Sequence, residues 1–234
     1  MITWADASNH NRPDRASTIG TLTGIGPAGL LRGEEHDIAL LQWKSGKTPR
    51  QCLGSNGAEV QSITIGEDQN YKIRGLVFEM TGEELRRDAI HEQVATIEGG
   101  LVMDSRGIYD AATRNLSALH GLRDSRAGYE LTVSINQARR ARTELRWVNG
   151  LAQLADGLTK AENRKTFLSF FTKNQYWRLI HDESFTAGRK LHKKELERQL
   201  KAQQESFVSW VKSQAEAFHW PWDEGPLLHY DAFS

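Results

Sequence analysis

Four of this chain's acidic residues stand where carboxylates can do chemistry. Asp6 closes the first apolar run, residues 1–5, and Asp104 closes another, residues 101–103. Glu59 falls in the first turn of a segment whose helix-start chemistry begins at Ser55-Asn56-Gly57. Asp156 falls one turn into a helical segment that follows a further strand. If the strands ending at Asp6 and Asp104 are parallel neighbours, both side chains emerge at one edge of a sheet. Three or four carboxylates gathered there repel one another unless cations neutralise them. Their hard oxygens suit Mg²⁺, with Mn²⁺ able to substitute. Two such ions ~3.5–4 Å apart clamp the attacking water and the leaving oxygen of a phosphodiester. The chain carries 30 Asp and Glu, so position rather than number singles out these four.

The elements that must hold them follow from the hydrophobic pattern. Residues 1–5 (MITWA), 18–24 (TIGTLTG) and 38–43 (IALLQW) read as three successive strands, with turn residues between them such as 9–17 (NHNRPDRAS). Short connections of this kind make an antiparallel meander. From Ser55 the apolar positions 60, 63, 73, 76, 77 and 80 fall mostly at helical spacing. Gly66 and Gly75 inside that helix cost about 1 kcal/mol each relative to Ala. Residues 83–96 read as a polar helical connector, and 101–104 as a buried strand. Ser105 then caps a helix with Ile108, Ala111, Ala112 and Leu116 on one face. Residues 122–141 fit a strand through Tyr129, Leu131, Val133 and Ile135, or a helix through Leu131, Ile135 and Ala138; the length favours the helix. Residues 144–148 (ELRWV) form a fifth strand, and 151–165 a helix that buries Leu151, Leu154, Ala155 and Leu158. The order β-β-β-α-β-α-α-β-α predicts an α/β fold. Its five-stranded mixed sheet has three antiparallel strands then two parallel, with helices on both faces. Residues 1–165 make this domain, 166–188 an aromatic-rich segment packed on it, and 189–234 a charged helical extension.

Composition narrows the function classes. The chain of 234 residues is long enough to bury a real core. It has no run of ~18 apolar residues, which excludes a membrane span, and no basic-then-apolar N-terminus, so a secretory signal is not expected. The expected location is therefore inside the cell, in cytoplasm or nucleus. Cys52 is the single cysteine, so neither an intrachain disulfide nor a CxxC metal site exists. With 30 Lys and Arg against 30 Asp and Glu there is no bulk basic field, and nucleic-acid binding has to rest on local patches. Two patches stand out: residues 139–146 (RRARTELR), with Arg139 and Arg140, and residues 189–201 (RKLHKKELERQLK). Either holds a phosphate backbone by counterion release, or is a solvated helix face with ion pairs such as Lys193–Glu197. Trp4, Trp43 and Trp147 read as core rather than base-stacking residues, Cys52 as a small, partly buried residue, and His181-Asp182-Glu183 as a polar turn.

Seven short blocks resemble one known family and occur in its order: TWADAS (3–8), RASTIGTLTG (15–24), LQWKSGK (41–47), SNGAEVQ (55–61), VMDSRGIYDA (102–111), LRWVNGLAQLADGLTK (145–160) and WRLIHDESF (177–185). They are similar to the ribonuclease H domain at the C-terminal end of copia-type LTR-retrotransposon Pol polyproteins, over about residues 1–185. The resemblance implies a ribonuclease H-like fold whose metal carboxylates fall on Asp6, Glu59, Asp104 and Asp156. Asp6 and Asp104 would sit centrally between the metals, with Glu59 and Asp156 on the outer sides. It also implies a substrate, the RNA strand of an RNA–DNA hybrid, cut endonucleolytically to leave a 3′-hydroxyl and a 5′-phosphate. Discrimination would rest on the 2′-hydroxyl and duplex shape. The candidate backbone contacts are Lys44, Lys47 and Arg50 following the third strand, Asn56 and Gln61 near the metals, and Ser8 and Asn9 past Asp6. Reverse transcriptase is the expected fused or associated partner. Many ribonucleases H place a His before the fourth carboxylate; residues 149–155 (NGLAQLA) have none, which leaves His10 or water to substitute. Met1 opens directly on the first strand, the expectation for a fragment, a truncated element copy or a free-standing derivative. The alternative reading is a catalytically silent nucleic-acid-binding module on the same fold.

Overall fold

The computed structural model describes residues 1–113 and 124–179, together with 201, 202 and 205. The chain divides into two compact units, Met1–Asp182 and Glu183–Ser234. Of the second unit, Lys201, Ala202 and Glu205 are described, and they are helical. The predicted helix face at Leu116, the turn at His181 and nearly all of the predicted helical extension over 189–234 lie outside the described residues.

The first strand, β1 (Ile2–Ser8), is central because both its faces are buried and both its edges are paired. It runs antiparallel to β2 (Thr18–Ile25), which runs antiparallel to β4 (Ala39–Lys47). On its other side lies β5 (Gly99–Met103), parallel, followed by β6 (Thr143–Trp147), parallel again. The order β4-β2-β1-β5-β6 is the predicted five-stranded mixed sheet. Among the strand bounds that differ from the sequence reading, two bear on the site. β1 continues past Asp6 because Ala7 and Ser8 still pair with Ile19 and Thr18. β4 runs on through Lys44–Lys47, residues that composition reads as a turn, because β2 is long enough to pair them. A second sheet that no local pattern announces joins β3 (His36–Asp37) to β7 (Tyr176–Trp177).

Alternation along β1 builds two cores. Ile2 and Trp4 face Leu22, Val102, Leu154 and Phe170 on one side of the sheet. Ala5 faces Val60, Ile63, Leu101, Met103 and Leu131 on the other. That second layer holds the long helix α1 (Ser55–Glu79), the short α2 (Ile90–Val94), α3 (Arg106–Thr113) and α4 (Ser125–Arg140). α1 starts at Ser55 as predicted, but Gly54 precedes it and no side chain caps it. Gly66 is a close approach rather than a weak point: an added Cβ would lie 3.0 Å from the Ala5 Cβ and 3.2 Å from Leu101 Cδ1. The connector 83–96 is helical only over α2. The segment 122–141 resolves as the helix α4, capped by the Asp124 side chain, which accepts from the Arg126 and Ala127 amides. No described helix is long and apolar enough to cross a membrane.

The predicted continuous helix over 151–165 is broken. A 3₁₀ turn (Gly150–Ala152), α5 (Asp156–Thr159), a second 3₁₀ turn (Ala161–Asn163) and α6 (Arg164–Thr172) replace it. Polar side chains here compete with helical bonding. Buried Gln153 donates to the Ala5 carbonyl at 2.9 Å, just where β1 and β5 have stopped pairing. Lys160 is extended (φ −130°, ψ 124°) and ends α5. The aromatic segment packs on the domain through Phe170 and Trp177. Trp4 and Trp147 are buried as expected, whereas Trp43 is 63% exposed because β4 is an edge strand.

Candidate metal centre

Strand register brings the acids together. Trp4 is opposite Val102 in the parallel pair β1–β5. Two residues further along each strand stand Asp6 and Asp104, on the same face and at the same end of the sheet. Asp156 opens α5, which crosses this face against β2. The crossing is possible because Gly20, the residue opposite Asp6, has no side chain: a Cβ there would lie 2.8 Å from Thr159 Cγ2 and 2.9 Å from the Ala155 carbonyl oxygen. As a result Asp6, Asp104 and Asp156 each bring a carboxylate oxygen within 4.8 Å of the other two. Glu59, half-buried near the start of α1, lies outside that trio but within reach of its field.

The electrostatics are those of crowded acids in a dry place. Burial, then the charges of Asp156 and Asp104, push the Asp6 carboxyl up to about 8. Burial and then Asp156 push Asp104 up to about 6. Burial, followed by Asp6 and Asp104, holds Glu59 well above the usual carboxylate range. Asp6 Oδ2 accepts from the Thr159 hydroxyl, whereas Oδ1 is buried without a hydrogen-bond donor and has the Lys160 ammonium at 3.7 Å. Asp156 Oδ1 accepts from Lys160 at 2.5 Å, and Oδ2 from the Asn163 amide at 2.7 Å. Trp147 Nε1 donates to the Asp104 carbonyl at 2.9 Å and holds that strand end. A hard-oxygen donor set, an undonated buried carboxylate oxygen and mutual repulsion together fit a divalent cation such as Mg²⁺.

Sequence reading missed Thr159, Lys160 and Asn163. Their spacing from Asp156, three, four and seven residues on, is the one-face signal that the expected helix over 151–165 carried; in the structure α5 ends at Thr159, and the groups still reach Asp6 and Asp156 across the break at Lys160.

The predicted nucleic-acid contacts are scattered. Ser8 ends β1 half-buried beyond Asp6, and Asn9 follows in an exposed turn, where its side chain accepts from the Ser17 hydroxyl at 3.2 Å. His10 is exposed in the same turn. Lys44 and Lys47 are exposed on β4, and Lys47 is paired with Asp14 at 2.6 Å. Asn56 is exposed in the first turn of α1. Arg50 instead braces α4, donating to Asp124 at 2.8 Å and to Glu130 at 2.9 and 3.0 Å. Gln61 is buried and bonded to the Arg50 backbone and to Cys52. Arg139 and Arg140 end α4, just before β6 begins, so they lie at the opposite end of the parallel strands from Asp104. Cys52 is buried, and burial pushes its thiol up.

No protein-family model matches the chain, and no curated protein matches it. Among solved structures it is similar to the ribonuclease H1 of the halophilic archaeon Halobacterium salinarum, at 10% identity over 70% of this chain and 96% of that one, with a TM-score of 0.40. It is similar to the ribonuclease H domain of prototype foamy virus at 10% identity over 72% of this chain and 94% of that one, with a TM-score of 0.41. It also matches the protease–reverse transcriptase of that virus at 12% identity, with a TM-score of 0.38, over 77% of this chain and 21% of that protein.

Proposed function

We propose that this chain is a ribonuclease H-type hydrolase that cuts the RNA strand of RNA–DNA hybrids with Mg²⁺ held by Asp6, Glu59, Asp104 and Asp156. The observation that carries the reading is the convergence of three carboxylate oxygens within 4.8 Å at the end of two register-matched parallel strands. A divalent cation bound there supplies positive charge to an attacking water and to the charge that builds on a scissile phosphodiester. Asp6 and Asp104 hold the centre of the site because rigid strands fix both. Thr159 takes one oxygen of Asp6 and leaves the other aimed into the cluster. Glu59 closes the α1 side, and Asp156 the α5 side. Ser8, Asn9 and Asn56 are the candidate backbone contacts close in sequence to Asp6 and Glu59, and Lys44, with Lys47 exchanging Asp14 for phosphate, extends the path along the edge strand. The origin that fits the sequence blocks is a copia-type Pol polyprotein, with reverse transcriptase as neighbour. A gel assay on a labelled hybrid tests the reading. Cleavage in Mg²⁺, its loss in EDTA and in Asp104→Asn, and no cutting of duplex DNA are expected.

One observation favours a second reading, a silent module that binds hybrid without turnover: both oxygens of Asp156 are already bonded, to Lys160 and Asn163. Salt-sensitive hybrid binding with no cleavage in Mg²⁺ or Mn²⁺ would select it.

A further inference from the structure

Lys160 belongs to no expectation drawn from the acids, yet it stands among them. Its ammonium is 2.5 Å from Asp156 Oδ1 and 3.7 Å from Asp6 Oδ1, and so bridges two of the three clustered carboxylates. Its neighbours finish the enclosure: the Thr159 hydroxyl donates to Asp6, and the Asn163 amide donates to Asp156 at 2.7 Å. The stretch of chain that delivers Asp156 therefore also delivers the groups that saturate it. An ammonium is a compact, univalent point charge on a flexible four-carbon stem. The Lys160 side chain is 28% exposed, so it has a path out to solvent without movement of the sheet.

We propose that Lys160 is a built-in counter-cation that occupies the position between Asp6 and Asp156 and competes there with a divalent ion. The inference rests on the metal-centre reading above. A divalent ion on this side needs the Asp156 oxygen that Lys160 now holds, so loading requires the ammonium to leave. On the Asp6–Asp104 side the ammonium stands farther off, 3.7 Å from Asp6 Oδ1, and the cost is smaller. Divalent ions then bind in two unequal steps, the weaker set by Lys160. A lysine that merely braced the fold would do the reverse: its loss would loosen the acids and weaken binding.

The test is Mn²⁺ binding to the metal-free full chain, followed by electron paramagnetic resonance of free Mn²⁺ and by calorimetry. The proteins are wild type, Lys160→Met, Lys160→Gln, Lys160→Arg and Asp104→Asn. Lys160→Gln keeps a donor to Asp156 and guards against a variant that fails to fold. The neutral variants are expected to bind the weaker Mn²⁺ at least tenfold tighter, to melt lower than wild type in EDTA and to gain more on adding Mn²⁺, while Lys160→Arg stays near wild type. Neutral variants with unchanged or weaker Mn²⁺ binding, beside a wild type that binds and an Asp104→Asn that does not, would overturn the role of Lys160 and leave the metal centre standing. Absence of Mn²⁺ binding from every protein would overturn both.

Discussion

In chelator, Asp6→Asn is expected to make the protein more stable above neutral pH and no more stable in acid. Asp6 is fully buried, and burial with the Asp156 and Asp104 charges holds its carboxyl at about 8 rather than 3.8. The folded protein thus binds this proton more tightly than the unfolded chain does. The stability tied to it is complete below 3.8 and is lost as pH rises toward about 8. At about 1.4 kcal/mol per pH unit, that interval sets a ceiling of roughly 6 kcal/mol. The Lys160 ammonium and rearrangement of the neighbouring acids recover part of it, so a gain of ~3 kcal/mol is expected at about pH 9. Asn retains an acceptor for the Thr159 hydroxyl and puts an uncharged amide group in place of the other carboxylate oxygen. The assay is urea unfolding in EDTA across about pH 4 to 9, wild type against variant, which cancels the titrating groups outside the cluster. Added Mg²⁺ should reverse the order, because the wild type alone gains from binding it. A variant no more stable than wild type at about pH 9 in EDTA would refute the crowding of these acids, and with it the physical case for a cation.

Three further outcomes are expected. Glu67 is 2% exposed with one oxygen lacking a hydrogen bond, and burial followed by the Asp68 charge raises its carboxyl to about 7 from 4.5, against the pull of Arg74. Glu67→Gln should add about 2 kcal/mol above ~pH 8 and nothing below ~pH 4.5, measured by urea midpoints. Arg74 is fully buried and donates to the carbonyls of Ile97 and Ala141, both at 2.6 Å, and to Thr143 Oγ1 at 2.7 Å. Arg74→Met leaves those acceptors unpaired and should cost ~3–5 kcal/mol in the same assay. Gly20→Ala drives a Cβ into Thr159, Leu158 and the Ala155 carbonyl. It should cost ~1–3 kcal/mol and weaken Mn²⁺ binding at least ~10-fold, while Gly46→Ala, which meets nothing within 4 Å, changes neither.

Much of the frame was legible locally. Apolar runs alternate or end on carboxylates, and those patterns survive in β1, β2 and β5 with Asp6 and Asp104 at the expected rim. The helix over 125–140 was readable from its length, and the start of α1 from its cap-type residues. Other features were not local. Trp43 has the composition of core but sits on the edge strand β4 with its side chain 63% exposed. Arg50 has the look of a phosphate ligand, but Asp124 and Glu130 claim it across 74 and 80 residues of chain. Gly66 counts against a helix by propensity, yet the close approach of α1 to Ala5 and Leu101 requires it. The segment after β6 carries helical periodicity, but Gln153 and Lys160 spend their polar groups on distant β1, Asn163 turns back to Asp156, and the helix breaks at Lys160.

The sequence by itself determined most of the strands and the long helices and singled out four acids near their ends, because hydrophobic period and turn chemistry act over a few residues. Only the tertiary structure decided that three of those acids meet, that Glu59 stands beside them, and that Lys160 lies between two of them. Those facts depend on distances closed between residues some 150 positions apart, as Asp6 and Thr159 are. There, burial and mutual charge rather than local propensity set the energy.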